Sequence, residues 1–232
     1  IVLDQTPFYG ESGGQIGDTG TIQTEHAMIA VNDTKTLNNI IVHLGTVMKG
    51  KITTNEKAIS KIDKKRREAI RRNHSATHLL HYVLRQVIGQ HAEQSGSLVA
   101  ADRFRFDFHH FAGISKDELA RIEEMINEMI MENTRVSVQE MTLNEAQETG
   151  AVALFGEKYS ENVKVVNIGN FSRELCGGTH VISTGQIGLF KIIHESSVAA
   201  GIRRIEAVTG KEAIMRTKQK EEILGRLCHI LD

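Results

Sequence analysis

The chain is poor in residues that interrupt, cross-link or anchor a polypeptide. Proline occurs once in 232 residues, at Pro7, so no proline-rich linker divides it. Cysteine occurs twice, at Cys176 and Cys228. That is too few for a disulfide scaffold and points to a thiol or metal role and to the cytoplasm. No stretch reaches the run of about 18 apolar residues that a membrane-crossing helix needs. The first residues, Ile1-Val2-Leu3-Asp4, carry neither an initiator methionine nor the basic start of a secretory signal. They lead us to expect a segment of a longer or processed protein. Net charge is -1, so any contact with nucleic acid has to come from a local basic face. A hydrophobic share of 40% is enough for a real core, and the length suits one large or two small domains.

Two stretches stand out against this background. The first is Asn73-His74-Ser75-Ala76-Thr77-His78-Leu79-Leu80-His81, inside a helical pattern. On a helix of about 3.6 residues per turn, His74 and His78 lie one above the other on the same face. The second is Cys176-Gly177-Gly178-Thr179-His180, where two glycines let the backbone turn and approach closely. His74, His78, Cys176 and His180 together make a ligand set that suits tetrahedral zinc. Either pair alone is weaker, because a chain with 11 histidines contains such spacings by chance. His81 shares the helix face and reads as a packed or supporting histidine. Zinc peptidases of the His-Glu-x-x-His type need a general base beside the first ligand. Ser75 stands there, which disfavours that class.

Taken in order, residues 1–56 alternate short apolar runs with Gly, Asn, Asp and Thr, the pattern of a small antiparallel barrel or sandwich. Five glycines between Gly10 and Gly20 form either a flexible turn or a loop whose backbone and Gln15 approach a ligand. Residues 57–88 read as a helix. Its first half carries Lys57, Lys61, Lys64, Lys65, Arg66, Arg67, Arg71 and Arg72, either a solvated face or one that lies along phosphates. Arg103–Phe108 alternates as a strand, and Ser115 with Glu118 forms a capping box before an apolar helical stripe. Thr142 with Glu145 starts a short helix, and Asn162–Ile168 is a strand. Ile187–Ile193 and Ile202–Val208 pair as a hairpin. From Lys211 a helix with Ile214, Ile223, Leu224, Leu227 and Ile230 runs on without a stop signal, which leads us to expect that the protein continues. This order favours an α+β fold over a doubly wound α/β sheet.

Further motifs accompany the two stretches: Leu3-Asp4-Gln5-Thr6-Pro7-Phe8-Tyr9, Glu11-Ser12-Gly13-Gly14-Gln15, Gln94-Ser95-Gly96-Ser97-Leu98-Val99, Arg105-Phe106-Asp107-Phe108 and Gly201-Ile202-Arg203-Arg204-Ile205-Glu206-Ala207. Together they resemble the editing domain of alanyl-tRNA synthetase, from the first residues to about Gly210. Free-standing trans-editing proteins and the threonyl-tRNA synthetase editing domain share the zinc pattern. The resemblance implies a small β-barrel subdomain at 1–60, an α+β editing core with an antiparallel sheet at 61–210, and a C-terminal helix at 211–232. It implies Zn2+ on His74, His78, Cys176 and His180, and hydrolysis of Ser-tRNA(Ala) and Gly-tRNA(Ala) without synthesis of alanyl-tRNA. A pocket built for alanine discriminates poorly against one methyl or one hydroxyl, so a second, hydrolytic site is required.

Within that frame Gln94 and Cys176 are the catalytic candidates, Cys176 as the ligand to exchange for water. Gly14, Gln15, Thr19, Arg203 and Arg204 are the substrate-binding candidates, with Thr19 aimed at a serine hydroxyl and the arginines at phosphates. The expected partners are the tRNA(Ala) acceptor end and the remainder of a synthetase in cis, and the apolar C-terminal helix leaves room for self-association. Two alternatives share these features: a non-catalytic tRNA-binding module with structural zinc, and a free-standing trans-editing protein.

Overall fold

A computed structural model describes residues 1–152 and 160–231. Four strands come first: β1 (Gly20–Gln23), β2 (Ala27–Leu37), β3 (Ile40–Gly50) and β4 (Ile59–Ile62). They form one antiparallel sheet in the order β3-β2-β1-β4. Its core is small: Phe8, Ile22, Ala27, Ile29 and Val31, with Leu3, Ile52 and Ile62 against it. The expected barrel is not formed. The sheet is open, because β3 pairs with β2 and β4 with β1, and these two edges do not meet. Four strands are too few to wrap round a filled interior.

The helix expected over 57–88 is shorter. Ile59–Ile62 pairs with β1 as β4, and Asp63 caps α1 (Lys64–Val87) by accepting from the Arg66 backbone N–H at 3.0 Å. Period-two burial of Ile62 against the sheet outweighed the helix propensity of the lysines around it. Of the basic run, Arg67 is buried. Its Nε donates to both Asp18 oxygens at 2.9 Å, and Nη2 donates to Asp18 and, at 3.0 Å, to the Pro7 carbonyl. Asp18 also accepts from the Tyr9 backbone N–H at 2.7 Å. This ion pair rivets the first sheet to α1. Lys61, Lys64 and Lys65 remain exposed.

After α1 come β5 (Gln94–Val99), β6 (Phe104–His109), α2 (Lys116–Met131), β7 (Val136–Thr142) and α3 (Leu143–Glu148). Both capping boxes are present, at Ser115–Glu118 and Thr142–Glu145. β8 (Asn162–Ile168) and β9 (Ser172–Leu175) complete a second antiparallel sheet, β7-β8-β9. β10 (Phe190–Ala199) and β11 (Ile202–Thr209) form the expected hairpin, which joins β6 and β5 in a third antiparallel sheet, β10-β11-β6-β5. α4 (Gly210–Leu231) follows.

The main core lies where α1 and α2 meet this third sheet. Leu79, Leu80, Val83 and Leu84 of α1, Ile122 and Ile126 of α2, and Phe104, Phe106 and Phe108 of β6 are all buried there. The alternation of Phe with charge in β6 sends three rings inward. Full burial of one such ring is worth about 1.5–3 kcal/mol. The architecture is α+β with antiparallel sheets. No helix among the described residues is long and apolar enough to cross a membrane.

Candidate metal centre

α1 runs through the interior, so its middle turns are buried all round. His74 and His78 leave one face of it with nearly parallel rings, 5.5 Å between centroids. β9 delivers Cys176, and the Gly177-Gly178-Thr179 turn swings His180 back to the same point. Gly178 is required there, because a Cβ would fall inside the His74 ring. The ligand atoms of His74, His78, Cys176 and His180 all lie within 4.8 Å of one another. Cys176 Sγ is 3.3 Å from both His74 Nε2 and His180 Nε2. Around tetrahedral zinc, with bonds of about 2.0–2.3 Å, neighbouring ligand atoms are separated by roughly 3.3–3.6 Å.

Each imidazole is oriented from behind through its Nδ1. His74 Nδ1 donates to Gln15 Oε1 at 2.7 Å. His78 Nδ1 donates to Glu174 Oε2 at 2.7 Å. His180 Nδ1 is 3.3 Å from Ser75 Oγ. All three Nε2 atoms are thereby left to face the common point, and the buried His78 Nε2 has no hydrogen-bond partner. Histidine ligands of metals are held in this way from behind. The donor set, its spacing and the partnerless nitrogen fit one tetrahedral cation of zinc type.

The electrostatics agree. Burial opposes charge on Cys176, but His74 and His180 beside it outweigh that and hold the thiol well below its usual range. Burial likewise opposes charge on Glu174, yet His78 and His81 keep it ionised, below the usual carboxylate range. Burial also opposes charge on His78, and Glu174 and Cys176 more than offset it, raising the imidazole to about 10, so its Nε2 holds a proton that a bound cation would displace. His180, lowered to about 4 chiefly by burial, keeps a free lone pair. A thiolate and a carboxylate inside a buried cluster favour a cation at its centre.

Above the centre opens a cleft of about 230 Å³. One wall belongs to the first sheet and its leading segment: Phe8, Tyr9, Gly13, Thr36 and Ile41. The opposite wall and floor come from the core: His74, Thr77, His78, Gln94, Ser97 and Cys176. Thr77 lines the cleft, and its Oγ1 donates to the His74 carbonyl at 2.7 Å, so the oxygen keeps its capacity to accept. Gln94 is half-buried at the start of β5, with Nε2 3.4 Å from Ser97 Oγ.

The structure thus brings Gln94 and Cys176 together with the three histidines. Gly14, at φ 78°, packs its α-carbon on the Ser97 backbone, 2.7 Å from that carbonyl oxygen for an added Cβ. Gln15 is fully buried beneath the cleft rather than lining it. Thr19 lies away from it, at the foot of β1, where its carbonyl accepts from the Asp63 N–H at 2.8 Å. Arg203 and Arg204 are also elsewhere, on β11. Arg203 is held by Glu195 at 2.5 and 2.7 Å, and Arg204 by Asp107 at 2.6 and 2.7 Å. Both guanidiniums are already paired within the sheet.

Thr77, Ser97 and Glu174 join the site without any role assigned to them from the sequence. Thr77 was visible as the residue three after His74, on the same helix face. Glu174 was not, because the two histidines it holds lie far away on α1. His81 is the supporting histidine that its helix position suggested, with Nδ1 3.2 Å from Glu174 Oε1.

Two family models match the chain. "Threonyl and Alanyl tRNA synthetase second additional domain" covers residues 163–206, and "tRNA synthetases class II (A)" covers residues 1–66. The chain is 54% identical over 232 residues to an alanine--tRNA ligase of Wolbachia pipientis wMel. It is 50% identical over 231 residues to those of Thermoanaerobacter sp. (strain X514) and Pseudoalteromonas translucida (strain TAC 125). In each case the whole chain is covered, and it spans 26% of the relative's length. Two family models and end-to-end identity of this degree show that the chain belongs to the alanyl-tRNA synthetase family, in the part of it that these alignments span.

Proposed function

We propose that the cleft hydrolyses the ester of misacylated tRNA(Ala), releasing serine or glycine, and that its floor holds one zinc ion. The observation that carries this reading is the placement of three histidine nitrogens and a thiolate at the base of a polar cleft. The match to a second additional domain shared by threonyl and alanyl synthetases supports it. The partners are then the acceptor end of tRNA(Ala) and the rest of a synthetase in cis, in the cytoplasm. We read 1–60 as the roof, 61–210 as the editing core, and 211–232 as a helix that offers a surface for self-association.

In the reaction, water adds to the ester carbonyl, the bond from that carbon to the ribose oxygen breaks, and the ribose hydroxyl leaves with a proton. Zinc on His74, His78, Cys176 and His180 would supply a positive centre that polarises water or anchors the amino acid. Gln94 faces the cleft with an amide N–H able to donate to the developing oxyanion. Thr77 Oγ1 offers an acceptor to the serine hydroxyl, a bond that alanine cannot make. Four protein ligands normally close a zinc site, so Cys176 is the ligand whose exchange would admit water. The aminoacyl ester is already activated, and orientation by the chain supplies much of the remaining advantage. The exposed Lys61, Lys64 and Lys65 would meet phosphates. Arg203 and Arg204 would meet phosphates only by giving up their carboxylates.

The test is single-turnover deacylation of Ser-tRNA(Ala) beside Ala-tRNA(Ala), at saturating protein, with and without a zinc chelator. We expect chelator-sensitive loss of serine, alanine spared, and a slower reaction for Gln94→Ala with unchanged folding. Binding of tRNA without any hydrolysis would favour the non-catalytic module.

A further inference from the structure

Gln15 belongs in sequence to the first sheet's leading segment, yet its side chain closes the metal centre. It is completely buried. Oε1 accepts from His74 Nδ1 at 2.7 Å and from the Thr179 backbone N–H at 2.9 Å. Nε2 donates to Thr179 Oγ1 at 3.1 Å. His74 lies on α1 and Thr179 on the turn between Cys176 and His180, so one amide bridges both ligand-bearing stretches. The backbone around it is pinned to β5: Ile16 N–H donates to the Val99 carbonyl at 3.1 Å, and Val99 N–H to the Gly14 carbonyl at 2.8 Å. The same short segment leads into the wall of the cleft formed by Phe8, Tyr9 and Gly13.

We infer that Gln15 is a positioning residue that couples metal binding to the seating of the first sheet over the cleft. By accepting from Nδ1 it fixes the His74 tautomer and turns Nε2 toward the ion. A bound ion in turn holds His74 and Thr179 in place and thereby holds Gln15 and the segment around it. Linkage makes the effect reciprocal: the factor by which seating tightens the metal is the factor by which the metal tightens seating. The roof of the cleft is therefore set by the centre at its floor. This inference rests on the reading of the centre as a zinc site.

The test uses the whole chain, Gln15→Met, which keeps the bulk and removes the acceptor, and Gln15→Glu, which keeps it. Zinc affinity is measured by competition with a chromophoric chelator. Hydrogen exchange of residues 11–23 is followed with and without zinc. We expect zinc to slow exchange in that segment of the unsubstituted chain. Gln15→Met should bind zinc about 10–100-fold more weakly, with exchange in the segment no longer responding to zinc, and Gln15→Glu should restore most of both. Zinc uptake without any change in exchange, or unaltered affinity in Gln15→Met, overturns the coupling alone. No zinc uptake by the unsubstituted chain overturns the metal reading and this inference with it. Should Gln15→Met fail to fold, the exchange of the unsubstituted chain and the affinity of Gln15→Glu decide the matter.

Discussion

Removing the carboxylate of Glu174 probes how the site is supported. Three donors converge on it: His78 Nδ1 at 2.7 Å, His81 Nδ1 at 3.2 Å and Ser172 Oγ at 2.9 Å. Glu174 is only 5% exposed, so water does not readily replace it. Each stranded buried donor costs about 1–3 kcal/mol, and breaking a buried charged pair from one side costs roughly 3–5 kcal/mol in total. In a chain of this size about 1 kcal/mol moves the melting temperature by about 2–4 °C. Glu174→Ala should therefore lower Tm by roughly 6–20 °C. Its zinc affinity should fall about 10–100-fold, because nothing holds His78 with Nε2 forward. Glu174→Gln keeps one acceptor oxygen and loses the other, so it should fall between the two. Differential scanning calorimetry and chelator competition measure both effects. A Glu174→Ala protein that melts like the unsubstituted chain and binds zinc as tightly would show that this carboxylate does not support the site.

Other expectations follow from the same structure. Gly178→Ala places a methyl inside the His74 ring, so it should abolish zinc binding while far-ultraviolet circular dichroism stays near that of the unsubstituted chain. Asp18→Ala strands the buried Arg67 guanidinium and should cost about 3–5 kcal/mol in urea unfolding, whereas a loss under about 1 kcal/mol would show the rivet to be dispensable. His43 is buried between Thr6 Oγ1 and the Ile1 carbonyl, at 2.8 and 3.0 Å, and burial pushes its pKa below the ordinary value of 6.5. The unfolded chain then takes up this proton first, so stability should be full above about pH 6.5 and fall on acidification toward the lower folded value. Tm measured against pH should show this slope, and His43→Gln should flatten it.

Much of this architecture is legible in the sequence where the signals are local. The capping boxes at Ser115 and Thr142, the inward phenylalanines of β6 and the β10–β11 hairpin all rest on neighbours a few residues apart. The metal cluster is legible because ligand chemistry limits the residue types so strongly. What escapes are contacts set by long-range packing. Lys57–Ile62 carries helix-forming lysines, yet burial of Ile62 beside β1 makes the end of the run a strand. Gln15 reads as a ligand contact, because its turn does approach the site, but the turn directs the amide under the floor to His74 and Thr179. Thr19 and the two β11 arginines carry suitable chemistry, and only the fold shows that none of them lines the cleft. Strand pairing decides whether a β-rich segment closes into a barrel, and here the β3 and β4 edges stay apart.

Zinc X-ray absorption on the purified chain after metal loading tests the four-ligand centre most directly. One equivalent of zinc is expected, with one sulfur at about 2.3 Å and three nitrogens at about 2.0–2.1 Å, the sulfur being lost in Cys176→Ser. A shell of nitrogen and oxygen alone, or no uptake of zinc, would contradict this assignment.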